Sequence, residues 1–111
     1  MNSAIKAIVI TAAFAGAATI VSAEDARALF EKSCASCHGK DGTGQTAMGK
    51  KMNLKDYTDA KVQEALKDEA MIKAIKEGVK EGEKTKMKGF GDKLKDEEIK
   101  ALVAHIRAFK K

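Results

Sequence analysis

Apolar residues recur at helical spacing in four stretches of this 111-residue chain. Ala26, Leu29 and Phe30 begin the first. Its inner face continues to Cys34 and Cys37, which predicts a helix from about Asp25, a suitable N-cap, into the cysteines. Val62, Ala65 and Leu66 form a second stripe behind Thr58 or Asp59. Met71, Ile72, Ile75 and Val79 form a third, starting at Asp68 and closing near Gly78. Ile99, Leu102, Val103 and Ile106 predict a last helix from about Asp96 to Phe109. Glu97 and Glu98 lie in its first turn and Lys110 and Lys111 near its end, where each sign suits the helix dipole. Two segments lose the period: residues 39–49, rich in glycine and small polar residues, and residues 80–95, with Gly82, Gly89 and Gly91 among many lysines. Nothing alternates at period two. The expected fold is all-α, about four helices with long loops.

Residues 1–23 are read as a cleavable secretory signal. Lys6 precedes an apolar run from Ala7 to Val21, and Val21-Ser22-Ala23 offers small residues at the cut. The run is shorter than the roughly 20 residues that span a bilayer and is diluted by Thr11, Gly16 and Thr19, so stable membrane insertion is not expected. One domain, residues 24–111, remains. It is expected outside the cytoplasm.

Cys34-Ala35-Ser36-Cys37-His38 carries the chemistry. Thiols three apart on a helical turn share a face and can each add across one vinyl group of a haem, and the adjacent imidazole then falls beneath the ring to ligate the iron. A disulfide of the thioredoxin kind would need a βαβ setting, and a zinc site would need a second close pair of ligands. Neither is present in the sequence, since the other histidine, His105, lies far down the chain. The glycine-rich stretch after His38 lacks the spacing of a phosphate loop and follows no strand. It is read as a loop around the His38 side of the ring.

The other axial position decides between carrying electrons and binding small molecules. Met48, Met52, Met71 and Met87 are the candidates outside the signal. Met71 sits in a helical apolar stripe, and Met48 and Met52 are close to His38 in sequence. Met87 lies in the glycine- and lysine-rich segment before the last helix and can approach from the other face, so it is the expected ligand, with Met48 next. An open sixth site would instead make a haem sensor or small-ligand binder. A peroxidase-like enzyme would need placed distal acid or base groups, and no distal histidine or arginine stands out. The chain is therefore not expected to be an enzyme.

Net charge is +5, from 21 basic and 16 acidic residues. The two signs are interleaved, only two of the cations are arginine, and aromatics to stack bases are few, which argues against nucleic acid. Lys84, Lys86, Lys88, Lys93 and Lys95 surround the Met87 segment and suggest docking to acidic protein surfaces, with encounter slowing as salt rises. A short chain with few large aromatics has a small core, and an apolar macrocycle within it should outweigh any single side chain.

Residues 24–111 resemble the small class I cytochromes c of bacterial periplasms. The likeness rests on Ala28-Leu29-Phe30 leading to Cys34-x-x-Cys37-His38-Gly39, on Met87-Lys88-Gly89-Phe90-Gly91, and on Asp96-Glu97-Glu98-Ile99 continuing to Ile106-Arg107. The resemblance implies one covalent haem c, with thioethers at Cys34 and Cys37 and axial ligands His38 and Met87, and first and last helices that cross. It further implies a monomeric periplasmic electron carrier between redox proteins or membrane respiratory or photosynthetic complexes. The chain departs from the family where Lys88 replaces a proline after the methionine, where Ala26 replaces a glycine, and where His105 replaces an aromatic. The loop after His38 also lacks a proline, so no carbonyl partner for the second imidazole nitrogen can be named from sequence.

Overall fold

The computed structural model describes residues 20–111; the predicted signal lies outside the described residues up to position 19. Six helices and one hairpin follow in order: α1 (Ala23–Ser33), α2 (Ala35–His38), α3 (Ala47–Met52), α4 (Ala60–Ala65), α5 (Asp68–Glu77), β1 (Val79–Glu81), β2 (Lys84–Met87) and α6 (Asp96–Arg107). The four expected helices are α1, α4, α5 and α6. The two loops are more ordered than their composition implied.

Two of the extra elements arise from local backbone chemistry. The Thr46 side chain accepts a hydrogen bond from the Gly49 N–H at the start of α3, and Asn53, in the left-handed conformation at φ 56°, ends it. A six-residue helix held by its caps has no apolar stripe to announce it. In the hairpin, β1 and β2 pair antiparallel around Gly82-Glu83 with an irregularity at Val79–Lys80. Gly82 takes φ +61° at the first turn position, where glycine fits the twist of a two-residue hairpin loop. All its residues but Met87 are exposed, and Lys86 pairs with Glu81 across it. With neither face buried, no alternation marks the strands.

The α1 cap is also a correction. Ser22, not Asp25, is the N-cap, and its hydroxyl accepts from the Asp25 N–H at 3.1 Å. Any of several small polar residues in this run can fill that role.

Packing concentrates on α6. Phe30, Ile99 and Leu102 are fully buried, with Met71, Ile75, Val103 and Ile106 around them, so α1 and α5 both pack on the last helix. Ala26 is 3% exposed, and the small side chain is accommodated. The α4 stripe is only half right: Ala65 is exposed and Gln63 is buried in its place. Gln63 Nε2 donates to the carbonyls of Tyr57 (2.7 Å) and Ile106 (2.9 Å). Arg107 donates to the Gln63 and Leu66 carbonyls and to Asp68. Carbonyls at the end of α4 are thereby satisfied by α6, and hydrogen bonds to a charged group of this kind contribute about 1.5–3 kcal/mol each.

His105 packs as an aromatic would, with its ring 5.0 Å from Phe30 and 4.9 Å from Phe109. Burial holds its pKa below the ordinary 6.5, Arg27 acts the same way, and Glu31 opposes them. The unfolded chain therefore takes up this proton more readily than the folded one. Nothing is lost while both states are neutral. Stability falls as pH drops through 6.5 towards the lower folded value. His105→Phe is expected to flatten the decline in thermal midpoint between about pH 7 and pH 5. An unchanged slope would show that other groups cause it.

Candidate haem site

The turn bearing the cysteines is pinned from both sides. Cys34 caps α1 through its N–H to the Phe30 carbonyl, and the N–H groups of Cys37 and His38 return to the Cys34 carbonyl at 3.2 and 3.0 Å. Thr46 donates its hydroxyl to the Cys37 carbonyl at 2.6 Å while accepting from Gly49 at 2.8 Å. A Cβ at Gly49 would collide with the Gly44 carbonyl oxygen and lie 2.6 Å from that of Cys37, so only glycine permits this approach. The glycine-rich stretch is thus the packed support of the motif.

Cys34, Cys37, His38 and Met87 all line one cavity of about 570 Å3. Its walls are largely apolar, drawn from α1, the Met52–Tyr57 segment, α5 and α6. No disulfide joins the two cysteines. Burial, then the neighbouring Cys37, pushes the Cys34 thiol up to about 11, so it stays protonated at neutral pH. Burial lowers the His38 pKa and keeps the imidazole neutral, the form that binds a metal. His38 lines the cavity, and its Nδ1 is buried with no hydrogen-bond partner among the described residues. The carbonyl partner that the sequence could not name is not supplied by the fold of these residues either.

Two residues the sequence did not single out support the motif. Tyr57 stacks on His38 with ring centroids 5.3 Å apart and planes 23° apart. Thr46 holds the Cys37 carbonyl, and its position three residues before Gly49 at a helix start was the available signal. Among the other methionines, Met48 is 46% exposed and off the cavity, whereas Met52 and Met71 also line it. Met71 is 6% exposed within the core cluster. His105 is not among the cavity residues. Of the lysines near Met87, Lys86 and Lys88 reach the cavity wall, joined by Lys55. Lys93 lies against Lys88, whose hydrogen bond and positive charge lower its pKa.

The arrangement fits a haem. The volume lies within the roughly 300–1,000 Å3 of cofactor pockets. A paired-thiol turn, a neutral imidazole with one free nitrogen and a thioether all meet on its apolar wall.

Comparison with known proteins agrees. Residues 21–106 match the family described as cytochrome C oxidase, cbb3-type, subunit III. The fold is similar to a solved structure titled KustC0563 c-type cytochrome, with TM-score 0.69 and 38% identity over 78% of this chain and 98% of that one. It is also similar to the structure of a tyrosine-to-phenylalanine mutant of Kustc0563, with TM-score 0.67 and 40% identity over 78% and 99%. No curated protein sequence matches. No described helix is long and apolar enough to cross a membrane. With the motif, the cavity and these matches in agreement, the chain belongs to the cbb3-type subunit III family and is a small c-type cytochrome, a protein of covalent haem c and electron transfer.

Proposed function

We propose that this cytochrome is an exported, monomeric one-electron carrier. It would hold a single haem c through thioethers from Cys34 and Cys37, with His38 and Met87 as axial ligands. Haem bound in this way supplies a ferric–ferrous couple. The observation that carries the reading is the convergence of those four side chains on one largely apolar cavity.

Each residue has a separate task. Cys34 and Cys37 tether the group to a turn that Thr46 and Gly49 hold still. His38 offers a neutral nitrogen, and Tyr57 steadies its ring. Met87 would fill the remaining position with a thioether, which would favour the reduced state and leave no room for a substrate. Met71 also lines the cavity, but it lies in the apolar stripe of α5 within the core cluster and is better read as packing. Phe30, Ile75 and Leu102 exclude water, so little reorganises when the charge changes.

The secretory signal expected over residues 1–23 supports a periplasmic location. Lys55, Lys86 and Lys88 at the cavity edge support docking to acidic surfaces of redox proteins or membrane respiratory or photosynthetic complexes. The family's description as a cytochrome c oxidase subunit supports an oxidase as one such partner.

Carbon monoxide tests the reading. The reduced protein is expected to keep its spectrum when the gas is added, because Met87 occupies the sixth position. Rapid binding would overturn the carrier reading in favour of a sensor with an open site.

A further inference from the structure

The segment that carries Met87 is followed by Lys88, so no proline ring stiffens it. We propose that Gly78 and Gly89 are the positioning residues that hold the Met87 sulfur at the sixth position, through a seam in which two stretches of backbone lie in direct contact. The inference rests on the His38 and Met87 ligation proposed above.

The seam is reciprocal. Gly78 ends α5 at φ +82°, and a Cβ there would lie 2.5 Å from the Met87 carbonyl oxygen and 2.7 Å from the Gly89 nitrogen. Gly89 faces back: a Cβ on it would lie 2.7 Å from the Glu77 carbonyl carbon and 2.9 Å from the carbonyl oxygens of Glu77 and Lys76. These obstacles are backbone atoms, which cannot rotate away as a side chain would. Two hydrogen bonds close the contact, from Phe90 N–H to the Ile75 carbonyl at 2.7 Å and from Gly91 N–H to the Lys76 carbonyl at 2.9 Å. They also satisfy carbonyls at the end of α5 that the helix itself leaves open.

Which side gives way when a methyl group is added follows from burial. α5 is anchored by Met71 and Ile75, at 6% and 4% exposure. The opposing segment has Lys88 exposed and Met87 only partly buried. The less anchored side moves, and it carries the sulfur. Gly89 has no positive φ, so alanine there tests the contact alone, whereas alanine at Gly78 adds backbone strain. Gly82 is the control. It lies in the same hairpin at φ +61° with nothing within 4 Å of where a Cβ would sit, and asparagine tolerates that conformation.

The test uses the ferric holoprotein and its Gly89→Ala, Gly78→Ala and Gly82→Asn variants. It records the far-red sulfur-to-iron band and the affinity for added imidazole, well below each thermal midpoint. Gly89→Ala and Gly78→Ala are expected to weaken the band and bind imidazole about tenfold more tightly. Gly82→Asn should match wild type. Equal affinity in all four proteins overturns the seam while leaving Met87 ligation intact. A Gly89→Ala protein that fails to fold around its haem also overturns it, because the seam would then serve the whole fold and not the ligand. Absence of the band in wild type removes the ligation reading and this inference together.

Discussion

Replacing both Cys34 and Cys37 with alanine is expected to yield a haem-free chain with no cooperative thermal transition. The fully buried side chains are few, with Phe30, Ile99 and Leu102 at their centre, and the walls of a cavity of about 570 Å3 would lose their contents. The apolar macrocycle and the apolar walls would no longer bury each other, and at roughly 25 cal/mol per Å2 of apolar surface the loss is on the order of 10 kcal/mol. That is as large as the total stability of a typical domain, about 5–15 kcal/mol. Heating followed by far-ultraviolet circular dichroism checks the outcome. A sigmoidal transition at the holoprotein's midpoint would mean that the polypeptide folds without its prosthetic group.

Met87→Ala is expected to convert the protein to one with an open sixth position. The far-red sulfur-to-iron band should disappear, the reduced protein should bind carbon monoxide, and the midpoint potential should fall, because the thioether favours the ferrous state. Met52→Leu and Met71→Leu are the necessary companions, as both methionines line the same cavity. Leucine keeps nearly the same volume at a cost under about 1.5 kcal/mol, so these variants should retain the band and the potential. Absorption spectra and potentiometric titration decide the matter. Loss of the band in the Met71 variant and its survival in Met87→Ala would reassign the ligand to the core methionine.

The hydrophobic period of the sequence was sufficient for α5 and α6, because Met71, Ile75, Ile99, Leu102 and Ile106 face a common core and recur at the spacing that requires. It was insufficient for α3 and the hairpin. Thr46 and Asn53 set the limits of α3 by hydrogen bonding and a left-handed cap, and the residues from Val79 to Lys86 bury neither face. Gln63 was overlooked for a related reason. A buried amide is stable only with its partners in place, and those partners, Tyr57 and Ile106, lie six and 43 residues away.

The same division holds at the site. Attachment is largely a local matter: Cys34, Cys37 and His38 occupy one turn, closed by hydrogen bonds from the Cys37 and His38 N–H groups to the Cys34 carbonyl. The family and its haem chemistry follow from that turn and from the last helix. Everything that depends on distance was decided by tertiary structure. Met87 meets the cavity because Gly78 and Gly89 let two backbones touch, and Tyr57 reaches His38 because the Gly42 carbonyl accepts the Tyr57 N–H at 2.8 Å. Such contacts rest on the close approach of segments far apart in the chain. The sequence marks them only as glycines and a tyrosine, and the close approach of the segments that carry them turns them into a site.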